Sequence, residues 1–502
     1  MPDHPSFDPL KRRFALLSDL AQAAGLLVWD QNTYMPAGGA EARAQQLASL
    51  SRVQHEKLTD GQVGQWLEDM TGTFSEDSDE GALVARARRA YERATKLPED
   101  FVEALSRQAS RAQGVWAEAR QAKDFALFAP ELVRILELKR READYYGYED
   151  HPYDALHDTF EEGSTSARLK ALFGPLRDEL VALVKAIADS PVVIDDDLVY
   201  QSFDESRQEQ FGIEAVKGFG YDLMRGRLDR TVHPFAQSMG KSDVRITARY
   251  HSGFLNQALF SIMHEAGHAM YEQGIADTFQ RSPLGDSASL GVHESQSRLW
   301  ENLVGRSYAF WEGAFPRLQE LFPEQLGNAS VDAFYGAVNR VEPSLIRVEA
   351  DEVTYNLHIM ARFELELALL EGTLEVKDVP EAWNAKYEDY LGLTPPDDAL
   401  GCLQDVHWSV GLFGYFPTYT LGNLMSVQLF DTARAAHPKL EAELRAGEFS
   451  TLLGWLRDNV HRHGAKFPPE VLLERATGSR LDAQPYLDYL RAKFGSLYAL
   501  NE

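Results

Sequence analysis

Cysteine is nearly missing from this chain: Cys402 is the single example in 502 residues. No intramolecular disulfide can form, and a thiolate-built metal site is excluded, so any ion must be held by His, Asp or Glu. A chain so poor in cysteine suits a reducing compartment, and a cytoplasmic location is expected. Positive charge is scarce as well. Fifty Lys and Arg stand against 77 Asp and Glu, a formal net charge of −27. Such a surface repels phosphate backbones and anionic lipids, so neither nucleic acid nor membrane is an expected partner. No apolar run approaches the roughly 20 residues that cross a bilayer. Lys11-Arg12-Arg13 ahead of residues 14–29 imitates an export signal, but Asp19 and Gln22 interrupt the apolar stretch. Phe14, Leu17, Leu20, Ala21 and Ala24 fall on one helical face, and an amphipathic helix is expected there.

What is present is helical periodicity. Residues 131–145 place Leu132, Ile135, Leu136 and Leu138 on one side and charges on the other. Similar patterns run through 41–70, 81–120, 165–190, 296–320, 345–371 and 426–460. The acidic stretch 74–80 and Asp195-Asp196-Asp197 read as exposed turns, too short to separate independent domains. The expectation is one catalytic domain over 1–502, mainly α, with residues 1–120 as an N-terminal helical sub-region lining or covering a cleft. One stretch departs from helix. Residues 231–235 and 244–248, flanking the turn-rich 238–242, predict a short hairpin with Pro234 confining the first strand to an edge. Such an edge could pair with an extended peptide or could simply cap the helical body.

Residues 254–273 are apolar around most of the circumference, as a buried helix is. Within them His264-Glu265-Ala266-Gly267-His268 sets two imidazoles four residues apart, on one face and one turn from each other. That spacing lets both reach one ion at roughly 2.0–2.1 Å. Glu265, rotated off their stripe, stands where the general base of a metal-assisted hydrolysis belongs. Apolar flanks weigh against two incidental histidines, because buried polar groups need partners. A third ligand must come from elsewhere. Glu294, near the start of the next helical run, is the first choice, with Glu272 and His293 as competitors.

A tetrahedral oxyanion needs hydrogen-bond donors, for which His407, Tyr415 and Tyr419 are candidates. Removal of C-terminal residues, which the family resemblance set out below implies, calls for arginine at the terminal carboxylate, because its fork matches a carboxylate in a bidentate manner. Arg347 is the first choice and Arg245 the second. The plain alternative for Arg347 is an intrahelical pair with Asp351, worth only about 0.3–0.5 kcal/mol. His233, Asp243, Gln404 and Asp405 are read as supporting or contacting residues of the substrate site.

Several segments together resemble the carboxypeptidase Taq family of zinc metallocarboxypeptidases. They are His233-Pro234-Phe235, Asp243-Val244-Arg245-Ile246-Thr247, the 264–268 helix with His293-Glu294-Ser295-Gln296, Ile346-Arg347-Val348-Glu349-Ala350-Asp351, and Gly401-Cys402-Leu403-Gln404-Asp405-Val406-His407-Trp408. Trp29-Asp30-Gln31-Asn32-Thr33-Tyr34-Met35-Pro36 also looks familial. The resemblance implies a neurolysin-like zincin architecture with a deep active-site cleft and a small sheet beside the catalytic helix. It also implies a homodimer and stepwise removal of C-terminal residues from peptides with broad specificity. Zn2+, with Co2+ as a possible substitute, would be held by His264, His268 and Glu294, and Glu265 would be the catalytic carboxylate. Two other readings stay open: a zinc oligopeptidase or dipeptidyl carboxypeptidase, and an inactive metal-stabilised binding scaffold.

Overall fold

Apolar stripes at helical spacing fold as expected. The structure, a computed structural model, describes residues 4–500. It is mostly helical, with one small three-stranded sheet. No helix among the described residues is long and apolar enough to cross a membrane. The export-like segment lies in the helix Phe7–Thr33, which continues through Trp29 without a break.

The chain divides into two compact units. One comprises residues 1–95, 195–338 and 425–481; the other comprises 96–194, 339–424 and 482–502. Residues 1–3 and 501–502, included in the expected single domain, lie outside the described residues. The boundary between the units at 95/96 falls within the sub-region expected over 1–120, and the helix Glu99–Ala122 belongs to the second unit.

The first unit holds the sheet. Strand β1 (Leu228–Arg230) runs parallel to β3 (Val244–Ala248), and β2 (Ala236–Ser238) runs antiparallel to β3 on its other side. Ala236 pairs with Ile246 and Ser238 with Val244. The hairpin exists, but its first strand starts after Pro234 instead of spanning 231–235. Proline has no N–H for a ladder, and pairing begins at Phe235, whose N–H donates to Thr247 Oγ1 while its carbonyl accepts from Thr247 N–H. β1 was not anticipated; three residues carry too little alternation to be seen. Val244, Ile246 and Ala248 are buried, and β3 packs on the helix Leu255–Gly274.

The second unit departs from expectation at one useful place. Residues 345–354 are not helical; Arg347 sits in a 3-10 turn, Arg347–Glu349, and the helix begins only at Tyr355 (Tyr355–Glu371). The Arg347–Asp351 pair therefore does not form. Asp351 instead accepts from the N–H groups of Val353, Thr354 and Glu342.

Candidate metal centre and arginine cluster

The helix Leu255–Gly274 carries His264 and His268, and the following helix Leu290–Arg298 carries Glu294. The approach of these helices depends on Gly267. A Cβ at this position would lie 2.6 Å from both the carbonyl oxygen of Gln296 and the Cα of Ser297. Ser295, Gln296 and Ser297 are wholly buried there, and Ser289 starts the second helix by accepting the N–H of Val292. This close packing brings Glu294 Oε2 to 3.7 Å from His264 Nε2 and 3.5 Å from His268 Nε2. Ligand atoms about 2.1 Å from a tetrahedral ion stand roughly 3.4 Å apart, so the spacing suits a shared cation.

The tautomers point the same way. His264 Nδ1 meets Glu301 Oε2 at 2.9 Å, and His268 Nδ1 meets the carbonyl of His293 at 3.0 Å. Both partners only accept, so each Nδ1 carries the hydrogen and each Nε2 presents a lone pair. Two lone pairs and a carboxylate oxygen, all within 4.8 Å of one another, form a group of acceptors with no donor among them. A divalent cation satisfies them, and the His2Glu set is one that zinc accepts.

The surrounding charges act differently on each member of the group. Burial disfavours charge on His264, yet Glu294 and Glu301 outweigh it and hold its pKa above the ordinary value. Burial also works against ionised Glu294, but Arg298 and the two histidines keep that carboxyl well below the usual range. Burial pushes His268 down to about 3. Glu265, buried and without a hydrogen bond from any described residue, is pushed up to about 7, chiefly by burial.

The two competing ligands are used otherwise. Glu272 Oε1 lies 3.2 Å from His293 Nε2, and the His293 ring stacks on His268 with centroids 4.2 Å apart. Two residues went unnoticed in the sequence. Glu301 fixes His264, and Arg298 bridges Glu294 (2.7 Å) and Glu301 (3.3 Å). Glu294 and Glu301 are seven apart, two turns on one face, a spacing the sequence did display. Glu301 lies in a π-helical turn, Leu299–Val304, a device frequent at functional sites.

Arg245, the second choice for a substrate cation, is held in the first unit by a two-pronged pair with Asp243 and lies 4.4 Å over the Trp29 ring. His233 is exposed on the connection between β1 and β2.

In the second unit Arg347 is buried. Its Nε and Nη2 donate to Asp405 Oδ1 at 3.1 and 2.8 Å, and its Nη1 donates to Tyr355 Oη at 3.0 Å. Gln404 spends its amide on protein: its oxygen accepts from the Arg347 N–H and from Arg362 Nη2, and its nitrogen donates to the Leu345 carbonyl. His407 Nε2 lies 3.4 Å from Tyr419 Oη, and the Tyr415 and Tyr419 rings are 5.4 Å apart, so the three expected donors sit together. Burial pushes His407 down to about 4. Glu366 accepts from Tyr153 Oη, Trp408 Nε1 and the Gly414 N–H, fastening the loop between His407 and Tyr415. Arg362 and Glu366 were also missed, because Asp405 lies 43 residues from the first, and Trp408 and Tyr153 lie 42 and 213 residues from the second.

The sequence pattern described as Carboxypeptidase Taq (M32) metallopeptidase matches residues 9–494. The chain is 47% identical over 491 residues to thermostable carboxypeptidase 1 of Thermus thermophilus, covering 95% of this chain and 96% of that protein. It is 40% identical to carboxypeptidase 1 of Bacillus subtilis, with 98% of each covered. Among solved structures, the M32 carboxypeptidase from Deinococcus radiodurans superimposes with a TM-score of 0.96 at 44% identity, covering 99% of this chain and 100% of that one.

Proposed function

The chain belongs to the carboxypeptidase Taq (M32) metallopeptidase family and is a metallocarboxypeptidase; on that footing we propose that it is zinc-dependent, trims peptides stepwise from free C-termini with broad specificity, and uses Glu265 as its general base. The observation that carries this reading is the convergence of His264, His268 and Glu294, whose ligand atoms lie within 4.8 Å of one another, one helical position from a buried carboxylate. These three would hold the ion, whose chemistry when bound is to polarise the scissile carbonyl and lower the pKa of a water to about 7. Cobalt would serve in the same ligands, because affinity alone does not select zinc.

Glu265 takes the proton from the attacking water and later delivers it to the departing amine. Arg347 receives the terminal carboxylate of the peptide, with Gln404 and Asp405 holding it in place. His407, Tyr415 and Tyr419 supply donors for the oxyanion. Arg245 and His233 are the weaker substrate contacts, since Arg245 already serves Asp243 and Trp29. We also propose a homodimer, which the family resemblance supports, and a cytoplasmic location, which the scarcity of cysteine supports; light scattering and cell fractionation test them.

Mass spectrometry of a peptide library, with and without chelator and with added zinc or cobalt, tests the activity. Ladders losing one C-terminal residue at a time support the proposal. Internal cuts, or turnover that persists after chelation, would refute it.

A further inference from the structure

Arg347 and Arg362 share one anion. Asp405 gives Oδ1 to Arg347 and Oδ2 to Arg362, whose Nε lies 2.6 Å away. Arg362 is wholly buried. Its remaining bonds go to the His358 carbonyl, Tyr387 Oη and Gln404 Oε1. A guanidinium so enclosed has no surface with which to meet a peptide. Its charge still matters, because a buried cation acts at low dielectric on everything near it.

Two guanidinium groups and one carboxylate leave the cluster at +1, with His407 beside it held neutral by burial. Without Arg362, Arg347 and Asp405 would be a neutral pair, and a second carboxylate arriving at Arg347 would be repelled by Asp405. The geometry is complementary. A guanidinium has five N–H groups, and three of those on Arg347 are used: Nε, one on Nη1 and one on Nη2. One N–H remains on each Nη, the two prongs that match the oxygens of a carboxylate.

We propose that Arg362 is a positioning residue for substrate specificity: by sharing Asp405 it leaves Arg347 with a net positive charge and a two-pronged donor for the terminal carboxylate of a peptide. This rests on Arg347 being the carboxylate receptor. Asp405, drawn far below the usual carboxylate range by the two arginines despite its burial, stays ionised and keeps the pair in register at all working pH.

The test is steady-state kinetics on one peptide made with a free and with an amidated C-terminus. Arg362→Gln is expected to raise KM for the free acid about 100-fold, the scale of an uncompensated buried charge, while kcat moves far less. The double variant Arg362→Gln with Asp405→Asn returns the cluster to +1 and is expected to recover much of that KM. A purely structural Arg362 predicts the reverse, a double variant no better than the single one and a kcat that falls with KM. If Arg362→Gln does not fold, Arg362→Lys decides: it keeps the cation beside Asp405, so KM for the free acid stays near wild type, and a rise of about 100-fold overturns the proposal. Wild-type enzyme that cleaves both peptides equally would refute Arg347 as receptor. Wild-type preference for the free acid with an unmoved KM in Arg362→Gln would refute only the role of Arg362.

Discussion

Gly267 and Gln296 meet backbone to backbone, so closely that a β-carbon on Gly267 would stand 2.6 Å from the Gln296 carbonyl oxygen. Neither neighbour is the end of a flexible side chain, so neither can give way. Gly267→Ala is expected to push the two helices apart and carry Glu294 from the histidines. A misplacement of about 1 Å at such a site costs on the order of 100-fold in rate. Peptide hydrolysis by the zinc-loaded variant should show that loss, and undiminished turnover would mean that the helices reseat.

Glu265→Gln keeps the shape of the side chain and removes its basicity. Zinc content by elemental analysis should stay at wild-type level while peptide hydrolysis falls by about 10²–10⁴-fold, the range of general base catalysis. Retained activity would move the base to another residue.

Glu301 receives the Nδ1 hydrogen of His264 at 2.9 Å. Removing such an outer partner typically costs 10–100-fold in metal affinity. Glu301→Ala is therefore expected to lose zinc to a competing chelator at correspondingly lower chelator concentration. Equal retention in both proteins would show that helix packing alone orients His264.

His157 is wholly buried, donates its Nδ1 hydrogen to the Gly414 carbonyl at 2.7 Å, and is pushed by burial down to about 4. Its folded pKa lies below its unfolded value near 6.5, so the native state binds fewer protons. The stability it contributes is complete above pH 6.5 and is lost as pH falls toward 4. The loss is on the order of 3 kcal/mol at the acid end. Urea midpoints measured across that window should decline with acid in wild type and flatten in His157→Gln; parallel slopes would show that other groups control the acid limb.

These sites were unequally legible in the sequence. His264 and His268 declare themselves because helical spacing converts directly into a shared face, and Glu265 because it stands one position on, beside that face. Glu294 could be nominated because it opens the next helix, but its approach depends on Gly267, whose role emerges only when Gln296 is packed against it. Arg347 could be chosen on chemistry, yet its setting was misread as helical. Asp405, its true partner, lies 58 residues away, beyond any periodicity. Arg362 gave no local sign at all, since a buried arginine in an apolar helix reads as an exposed one until the fold supplies its acceptors. The sheet was half legible: β3 alternates over five residues, and β1 is too short to alternate.

Each unit is stitched from three separated stretches of chain, the last beginning at residue 425 in one and at 482 in the other. Synthesis proceeds from the N-terminus at about 5–20 residues per second, so both bodies wait for their closing pieces until those late stretches have been made. The helix Gln484–Leu497 brings Tyr486 to Asn356, and Tyr498 just beyond it receives the Val341 N–H. A chain released before residue 482 lacks these ties beside the Arg347 turn. Interleaving thus makes the ties at Asn356 and Val341 depend on residues made more than a hundred positions after the Arg347 turn.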